Sequence, residues 1–418
     1  MKNNFKTIYK MPDPTCVYKW GWSTIFLQSR TTSSCHRTEN DSITPEDFDN
    51  FHNTPSKLKA RQAMLDGNWP GGGCEYCKKI EDSGGLSDRQ TINEMVGRIP
   101  NKELIPVEIT TDSRATIVSP TMVEVYFSNL CNMSCIYCGP KYSSTWEQEV
   151  RKHKLYTVDL DTLIGDKDSY QKILAKFWEW LDKNASNIVK YNILGGEPFY
   201  QPELETNIAF FETHPCPKLN LTVFSNLKVN HDKFVRILTQ LTRLVEIGHL
   251  ASVQITCSLD CWGPQQEYVR TGLDLIQWEN NFNTLVKEFQ KITVQVHGTM
   301  TSLTIKTMPD LVKKINDINQ YRTVESTPVF LTYNMVFNPP HMNPDIFPNG
   351  LFDTDFDEVI NLLTDSLTKD LIQGYKQSIN NGKHNPDLID KLKIYLDELD
   401  ARRGTSWKPL FPWLVEHK

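Results

Sequence analysis

The chain has 418 residues, a formal net charge of −6 and 39% hydrophobic residues, which fits a soluble globular protein with one large domain and one or two smaller units. It contains no concentrated lysine and arginine run, so its charge gives no indication of binding to a nucleic acid or to a membrane. Without an apolar stretch near 18 residues or a signal-peptide pattern, we expect a cytoplasmic protein with reduced cysteines. Seven of its ten cysteines fall in two clusters, which indicates metal ligands.

The first 114 residues are rich in turn-forming residues, and we treat them as a separate small unit. This unit contains four cysteines, Cys16, Cys35, Cys74 and Cys77, of which the last two form a CxxC pair. Taken alone, four cysteines with one CxxC pair are equally compatible with a structural zinc site.

Residues 115–337 alternate between short β-rich runs and amphipathic stretches, a pattern typical of βαβ units that build a parallel sheet. The β-rich runs predict six strands: Val123–Phe127, Tyr191–Leu194, Leu219–Phe224, Val253–Leu259, Val294–Met300 and Val329–Met335. The amphipathic stretches between them predict helices: Tyr170–Asp182, Asp232–Val245, Asn283–Lys291 and Met308–Asn319. The repeat therefore predicts an α/β fold with a partial, open (β/α)6 TIM-like barrel.

Proline-containing turns end this pattern after residue 337, and residues 338–418 are expected to form a helical C-terminal extension. Two helices are predicted there, Asp355–Leu371 and Asp387–Arg403. An aromatic tail, Trp407–Trp413, follows them, and we expect it to close one end of the barrel because aromatic side chains bury a large area.

The first strand of the barrel leads into a loop with three thiols, Cys131, Cys135 and Cys138. Three thiolates on one loop can hold three corners of a [4Fe-4S] cube and leave its fourth iron without a protein ligand. Zinc normally takes a fourth ligand nearby, and the residues that follow, Lys141–Ser143, offer no thiol or imidazole. Spacing alone would still allow zinc or three incidental core cysteines.

Three further motifs each follow one of the next strands: Gly195-Gly196-Glu197-Pro198, Ser225-Asn226 and Ser258-Leu259-Asp260. Together with the CxxxCxxC loop and the aromatic residue before its last cysteine, and in this order, they resemble the radical S-adenosylmethionine (radical SAM) superfamily. The resemblance implies an enzyme in which a reduced [4Fe-4S] cluster at the three cysteines cleaves S-adenosylmethionine to methionine and a 5′-deoxyadenosyl radical. That radical then takes a hydrogen atom from a substrate.

The resemblance also implies cofactor-binding roles. Gly195, Gly196, Glu197 and Pro198 would receive the methionine amino group, the glycines by letting the backbone approach and Glu197 by pairing with the ammonium. Ser225, Asn226 and Ser258 would hydrogen-bond the ribose and the carboxylate, although Leu227 and Cys261 stand where many relatives have glycine. The remaining implied cofactor residues are Tyr137 near adenine, Asp260, and Arg270 at the carboxylate. Each role has a structural alternative: an ordinary strand-ending turn for Gly195–Pro198, core packing for Tyr137 and a surface salt bridge for Arg270.

The four N-terminal cysteines resemble Twitch or SPASM-type extensions, which carry an auxiliary [4Fe-4S] cluster. Such extensions usually follow the radical SAM core, whereas this one precedes it. Structural zinc stays the alternative for this site.

Cys261 follows the Ser258–Asp260 motif and is a candidate hydrogen-atom donor, with packing as a small hydrophobe as the alternative. The resemblance implies an electron donor such as flavodoxin or ferredoxin, and it implies modification of a peptide or protein. Dehydrogenation or epimerisation of a sugar-like small molecule is the second candidate reaction. A non-catalytic iron-sulfur or zinc protein is the alternative from another class.

Overall fold

The computed structural model describes residues 14–82, 87–98, 117–155, 159–324 and 326–416. Its centre is one nine-stranded sheet with the strand order β3-β2-β1-β4-β5-β6-β7-β8-β9. The strands are β1 Trp22–Phe26, β2 Thr31–Ser33, β3 Asp41–Ser42, β4 Met122–Tyr126, β5 Lys190–Leu194, β6 Cys216–Ser225, β7 Leu250–Ser258, β8 Thr293–Met300 and β9 Phe330–Met335.

Strands β4 to β9 run parallel to one another in sequence order. They coincide with the six strands predicted from the sequence, so the parallel α/β architecture is confirmed. Because the strands are parallel, their carboxyl ends, where the four motifs lie, meet at one edge of the sheet.

Helices connect the strands and cover the sheet. They are α1 Tyr18–Gly21, α2 Pro55–Leu65, α3 Glu75–Asp82, α4 Asp88–Arg98, α5 Ser144–His153, α6 Leu160–Ile164, α7 Lys167–Asn184, α8 Pro202–Thr213, α9 His231–Glu246, α10 Pro264–Val269, α11 Leu275–Glu288, α12 Met308–Asn319, α13 Asp353–Leu362, α14 Ser366–Asn380, α15 Pro386–Arg403 and α16 Pro412–Glu416. Among the described residues, none of these helices has the length and apolar character needed to cross a membrane.

The two faces of the sheet differ in chemistry because side chains alternate along a strand. One face carries buried apolar residues such as Val125 and Ile193, which share a core with the helices. The opposite face carries polar residues in register across neighbouring strands, including Glu124, Asn192 and Thr222. This face, which we call the polar inner face, continues to Thr24 of β1 and to Thr332 of β9.

The N-terminal region contributes to the sheet. Strand β1 pairs in parallel with β4, from Trp22 beside Met122 to Phe26 beside Tyr126, and β2 and β3 add two antiparallel strands. A second, smaller core contains Cys16, Val17, Trp20, Met64, Cys74, Ile92 and Val118. The N-terminal region is thus divided between the main sheet and a small core, whereas the boundary predicted at residue 114 lies outside the described residues.

One predicted C-terminal helix is wrong. Instead of a single helix over Asp355–Leu371, the chain forms α13 and α14 with a break between them. Leu363 is extended, with φ −67° and ψ 143°, and the carboxylate of Asp365 caps α14 by accepting a hydrogen bond from the backbone N–H of Thr368 at 2.7 Å. A capping aspartate stabilises a new helix start, which amphipathic periodicity alone does not reveal.

Candidate functional site

The three thiols of the loop after β4 lie beside one another. Burial raises the pKa of the Cys138 thiol to about 12, and the nearby charge of Cys135 acts in the same direction. Burial also raises the pKa of Cys131, to which Cys135, Glu197 and Cys138 add. All three are partly exposed free thiols. They would therefore be protonated in the protein alone and would become thiolates on binding a metal.

Helix α5 holds this loop from one side. The hydroxyl of Thr145 donates a hydrogen bond to the carbonyl of Cys131 at 2.7 Å, and the indole N–H of Trp146 donates to the carbonyl of Cys135 at 2.7 Å. The Ser143 side chain caps the helix by accepting a hydrogen bond from the backbone N–H of Trp146 at 3.2 Å. The start of α5 thus fixes two of the three cysteine backbones.

The segment after α10 holds the same loop from another side. The backbone N–H of Ser134 donates to the carbonyl of Thr271 at 2.9 Å, and that of Ile136 donates to the carbonyl of Val269 at 2.9 Å. These two hydrogen bonds pair the thiol loop with the region that carries Arg270.

Helix α15, far away in the sequence, also contacts the thiol loop. The hydroxyl of Tyr395 donates to the carbonyl of Ile136 at 2.6 Å. Arg403 pairs with Glu149 at 2.9 Å and places its guanidinium 4.7 Å from the ring centroid of Trp146. The sequence analysis missed these contacts, since no local pattern indicates which loop a C-terminal helix meets.

The double-glycine turn after β5 packs directly against the thiol loop. Gly195 and Gly196 have φ angles of +91° and +47°, in the left-handed region that favours glycine. The carbonyl oxygen of Leu130 would lie 2.1 Å from a β-carbon at position 196, and the backbone N–H of Glu197 donates to that oxygen at 2.8 Å. Pro198, which is buried, opens a short 3-10 turn after this contact.

Glu197 connects the carboxyl ends of β5 and β6. Its carboxylate is 0% exposed and accepts hydrogen bonds from the hydroxyl of Ser225 at 2.8 Å, from the backbone N–H of Asn226 at 2.6 Å and from that of Phe199 at 3.1 Å. Burial raises its pKa to about 7, although these hydrogen bonds oppose the rise. Glu197, Ser225 and Asn226, three of the predicted cofactor residues, are therefore hydrogen-bonded to one another through the Glu197 carboxylate. The pairing of Glu197 with an ammonium group stays a prediction.

An asparagine pair joins the β6 loop to the thiol loop. The side-chain amide of Asn226 donates to the side-chain oxygen of Asn132 at 3.0 Å, and the Asn132 amide donates to the carbonyl of Lys228 at 2.7 Å. Asn132 lies between the first two cysteines, so this contact holds the loop from a third side.

The carboxylate of Asp260, which follows β7, accepts hydrogen bonds from several polar groups. It accepts two hydrogen bonds from Arg270, at 2.9 and 2.7 Å, one from the hydroxyl of Tyr137 at 2.7 Å and one from the backbone N–H of Thr299 at 2.8 Å. Both charged groups are buried. Tyr137, Asp260 and Arg270 thus form one cluster, and the Arg270 ion pair is a buried one instead of the surface salt bridge considered from the sequence.

Ser258 and Cys261 lie in different surroundings. Ser258 ends β7 on the polar inner face, in register with His297 of β8. Cys261 is 0% exposed, and its thiol lies 3.3 Å from the side-chain oxygen of Gln266. This burial favours the packing alternative for Cys261 over a hydrogen-donor role.

His297 is a polar residue of the site that the sequence analysis did not single out. Burial lowers its pKa to about 4, aided by the charge of Arg270, so the ring is neutral at pH 7. Its Nδ1 lies 2.8 Å from the hydroxyl of Thr332. The alternation of valine with polar residues along β8 was the signal that could have placed it on the inner face.

The four N-terminal cysteines are also neighbours. Burial raises the pKa of Cys16 to about 12, with contributions from Cys35 and Cys74, and raises that of Cys35 to about 11, with a contribution from Cys77. All four are free thiols. Within the described ranges, no group of three or more His, Cys, Asp or Glu side chains is arranged to hold a metal ion.

No family model matches the sequence, and no curated protein matches it. Among solved structures, TYW1 with a lysine-pyruvate adduct bound is 15% identical over 56% of this chain and 67% of that one, with a TM-score of 0.28. Streptococcus suis SuiB bound to S-adenosylmethionine is 14% identical over 74% of this chain and 64% of that one, with a TM-score of 0.34. At these TM-scores the likeness assigns no function to this chain.

Proposed function

We propose that the protein is a radical SAM enzyme with a partial (β/α)6 barrel. The observation that carries the proposal is the meeting of the thiol loop, the double-glycine turn and the β6 and β7 loops at one edge of a parallel sheet. Gly196 contacts the carbonyl of Leu130, directly before Cys131, and Asn226 contacts Asn132 within the thiol loop. Four motifs that are far apart in sequence thus lie next to one another, as a cofactor with several polar groups would require.

The donor set fits a [4Fe-4S] cluster at Cys131, Cys135 and Cys138. Soft thiolates suit iron-sulfur clusters, and each thiolate of a cube binds its own iron, so the three sulfurs need not converge on one point as ligands of a single ion do. With S-adenosylmethionine bound, a reduced cluster of this kind supplies a 5′-deoxyadenosyl radical that removes a hydrogen atom from a substrate.

The chain's own residues would bind and position these groups. Glu197 holds the β5 and β6 loops together through its buried hydrogen bonds. Asp260 holds Tyr137 and Arg270 beside the thiol loop. Backbone and side-chain groups held in this way lose little freedom when a ligand binds, which favours affinity and correct orientation.

Cys16, Cys35, Cys74 and Cys77 are proposed to hold an auxiliary [4Fe-4S] cluster in a Twitch- or SPASM-like unit, with structural zinc as the alternative. An electron donor such as flavodoxin or ferredoxin would reduce the clusters. The substrate proposal is a peptide or protein, followed by a sugar-like small molecule. Hydrogen-bonding groups on the inner face, such as Gln254 and Gln295, suit either polar substrate.

Anaerobically reconstituted protein with dithionite tests the enzyme proposal. We expect the wild type to convert S-adenosylmethionine to 5′-deoxyadenosine and methionine. Replacing Cys131, Cys135 and Cys138 together by Ala should abolish the reaction, whereas Cys216→Ala, a buried cysteine outside both sets, should retain it. Undiminished cleavage of S-adenosylmethionine by the triple variant would contradict the proposal that this protein is a radical SAM enzyme.

Metal analysis tests the second site. The wild type should bind about eight irons and the Cys74→Ala/Cys77→Ala variant about four, because four thiolates saturate a cube. Equal iron in both proteins, with zinc in the wild type only, would replace the auxiliary cluster by a structural metal. Circular dichroism must accompany the count, because metal-thiolate bonds contribute folding energy.

A further inference from the structure

Three aromatic rings and one lysine lie directly beside the thiol loop. Phe26 of β1 stacks on Tyr126 of β4 with their centroids 4.5 Å apart, and Tyr142 lies 5.9 Å from Tyr126. Lys141, three residues after Cys138, places its Nζ 4.4 Å from the Phe26 centroid and 5.6 Å from that of Tyr142. The ammonium is therefore held over two ring faces at the same sheet edge as the four motifs.

The Lys141 ammonium has no opposite charge to balance it in the part of the chain that the structure describes. Desolvation by burial lowers its pKa, and no neighbouring charge counteracts this effect. A half-buried cation without an anion is costly, and aromatic faces compensate only part of the lost hydration. Such a group is a natural partner for an anion that arrives with a ligand.

The space around Lys141 suits a small anionic group. A recess of about 20 Å³ lies against Lys141, Phe26, Tyr126 and Gly195, and none of its described lining residues is acidic. It shares Gln28, Ser128, Asn129 and Ile164 with a cavity of about 250 Å³. The recess has room for roughly one water-sized group, such as one oxygen of a carboxylate, while the adjoining cavity has room for the rest of the ligand.

Arg270, the cation expected from the sequence to bind a carboxylate, is already neutralised. Its guanidinium forms a bidentate pair with Asp260 at 2.9 and 2.7 Å. Adding a second carboxylate would place two anions on one buried cation, which like-charge repulsion opposes. Lys141 carries no such partner among the described residues, so its charge is available to a bound anion.

We propose that Lys141, held over Phe26 and Tyr142, binds a carboxylate group in the recess beside Gly195. Either S-adenosylmethionine or the substrate can bring that carboxylate, and the naming of these two carriers rests on the proposed function. The carboxylate site itself rests only on the lysine, the rings and the recess.

The test measures binding to anaerobically reconstituted protein. Succinate and its uncharged analogue succinamide are titrated by saturation-transfer NMR, with and without saturating S-adenosylmethionine. The affinity for S-adenosylmethionine and for its decarboxylated analogue is measured by calorimetry. The variants are Lys141→Met and Lys141→Gln, so that one neutral variant remains if the other misfolds. Lys291→Met, an exposed lysine paired with Glu246, is the matched control.

We expect the neutral Lys141 variants to lose at least about tenfold in affinity for a carboxylate ligand, as the loss of a charge-assisted hydrogen bond implies. A loss for S-adenosylmethionine but not for its decarboxylated analogue, with succinate displaced by the cofactor, identifies the cofactor as the carrier. A loss of affinity for succinate alone, measured at saturating S-adenosylmethionine, indicates that the substrate carries the carboxylate.

Unchanged affinity for both ligands in the folded variants overturns the proposal. Because succinate binding does not depend on cofactor cleavage, a wild type that binds succinate through Lys141 but never cleaves S-adenosylmethionine would remove the proposed function and leave the carboxylate site.

Discussion

The carbonyl oxygen of Leu130 occupies the position next to Gly196 that a side chain would need, 2.1 Å from where a β-carbon would stand. Leu130 directly precedes Cys131. The distance between the double-glycine turn and the thiol loop therefore depends on the absence of a side chain at Gly196. The contact thus couples the double-glycine turn to the thiol loop through backbone atoms alone.

The first prediction is that Gly196→Ala displaces the thiol loop. A β-carbon within 3 Å of a backbone oxygen forces the backbone apart, and Gly196 also has a positive φ of +47°. We expect a loss of more than about 2 kcal/mol in unfolding free energy and a lower iron content after reconstitution.

Gly248→Ala is the matched control, since Gly248 has a φ of +72° but open space around its β-carbon position. It should cost only about 1 kcal/mol of backbone strain and leave the iron content intact. Equal iron content in both variants would show that the Leu130 contact does not control the loop.

The second prediction concerns the buried pair of Asp260 and Arg270. Asp260→Asn leaves the guanidinium buried without its charge partner and weakens the hydrogen bond to Tyr137. Breaking a buried pair in this way costs about 3–5 kcal/mol, which urea unfolding would measure. Glu246→Gln removes the partner of Lys291 in a half-exposed pair and should cost less than about 1 kcal/mol. Similar losses in the two variants would contradict this account.

The third prediction concerns the contact of helix α15 with the thiol loop. Tyr395→Phe removes the hydrogen bond to the carbonyl of Ile136 and should lower the unfolding free energy by about 1 kcal/mol. Because that carbonyl lies between Cys135 and Cys138, two of the proposed cluster ligands, iron loss to a chelator should also become faster. Tyr375→Phe removes an equivalent hydrogen bond to the carbonyl of Tyr333 at 3.0 Å, outside the loop. Identical rates of iron loss in the two variants would rule out a specific effect on the cluster.

The fourth prediction is a pH dependence of stability from Glu197. Burial raises the pKa of this carboxyl from 4.5 to about 7, so the folded protein binds the proton more tightly than the unfolded chain does. The stability contribution is therefore present below about pH 4.5 and decreases as pH rises to about 7, by about 3 kcal/mol for a shift of this size. Glu197→Gln has no such proton.

Urea unfolding of the metal-free wild type and of Glu197→Gln across this pH range measures the effect. The difference between their unfolding free energies should change with pH, with the wild type losing more as pH rises. Parallel curves would show that Glu197 keeps an ordinary pKa in the folded protein.

Local patterns in the sequence determined much of this architecture. The six parallel strands follow from short β-rich runs separated by amphipathic stretches, because alternation and helical periodicity report which side chains become buried. The thiol loop and the double-glycine turn were also recognisable, since the spacing of Cys131, Cys135 and Cys138 and the run Gly195-Gly196-Glu197-Pro198 are patterns of adjacent residues. The break at Leu363 was missed because a cap at Asp365 competes with the amphipathic pattern only through local geometry.

Only the tertiary structure decided which distant groups meet. Strand β1 joins β4 across about a hundred residues of sequence, and Tyr395 reaches Ile136 across a separation of 259 residues. The ion pair of Arg270 with Asp260, and the position of Lys141 over Phe26, likewise depend on how loops and strands pack. The physical reason is that the type of a side chain determines only which kinds of hydrogen-bond, charge or apolar partner it can have. The packing of helices and strands around a shared core determines which of these partners lies within reach and which charge has no partner.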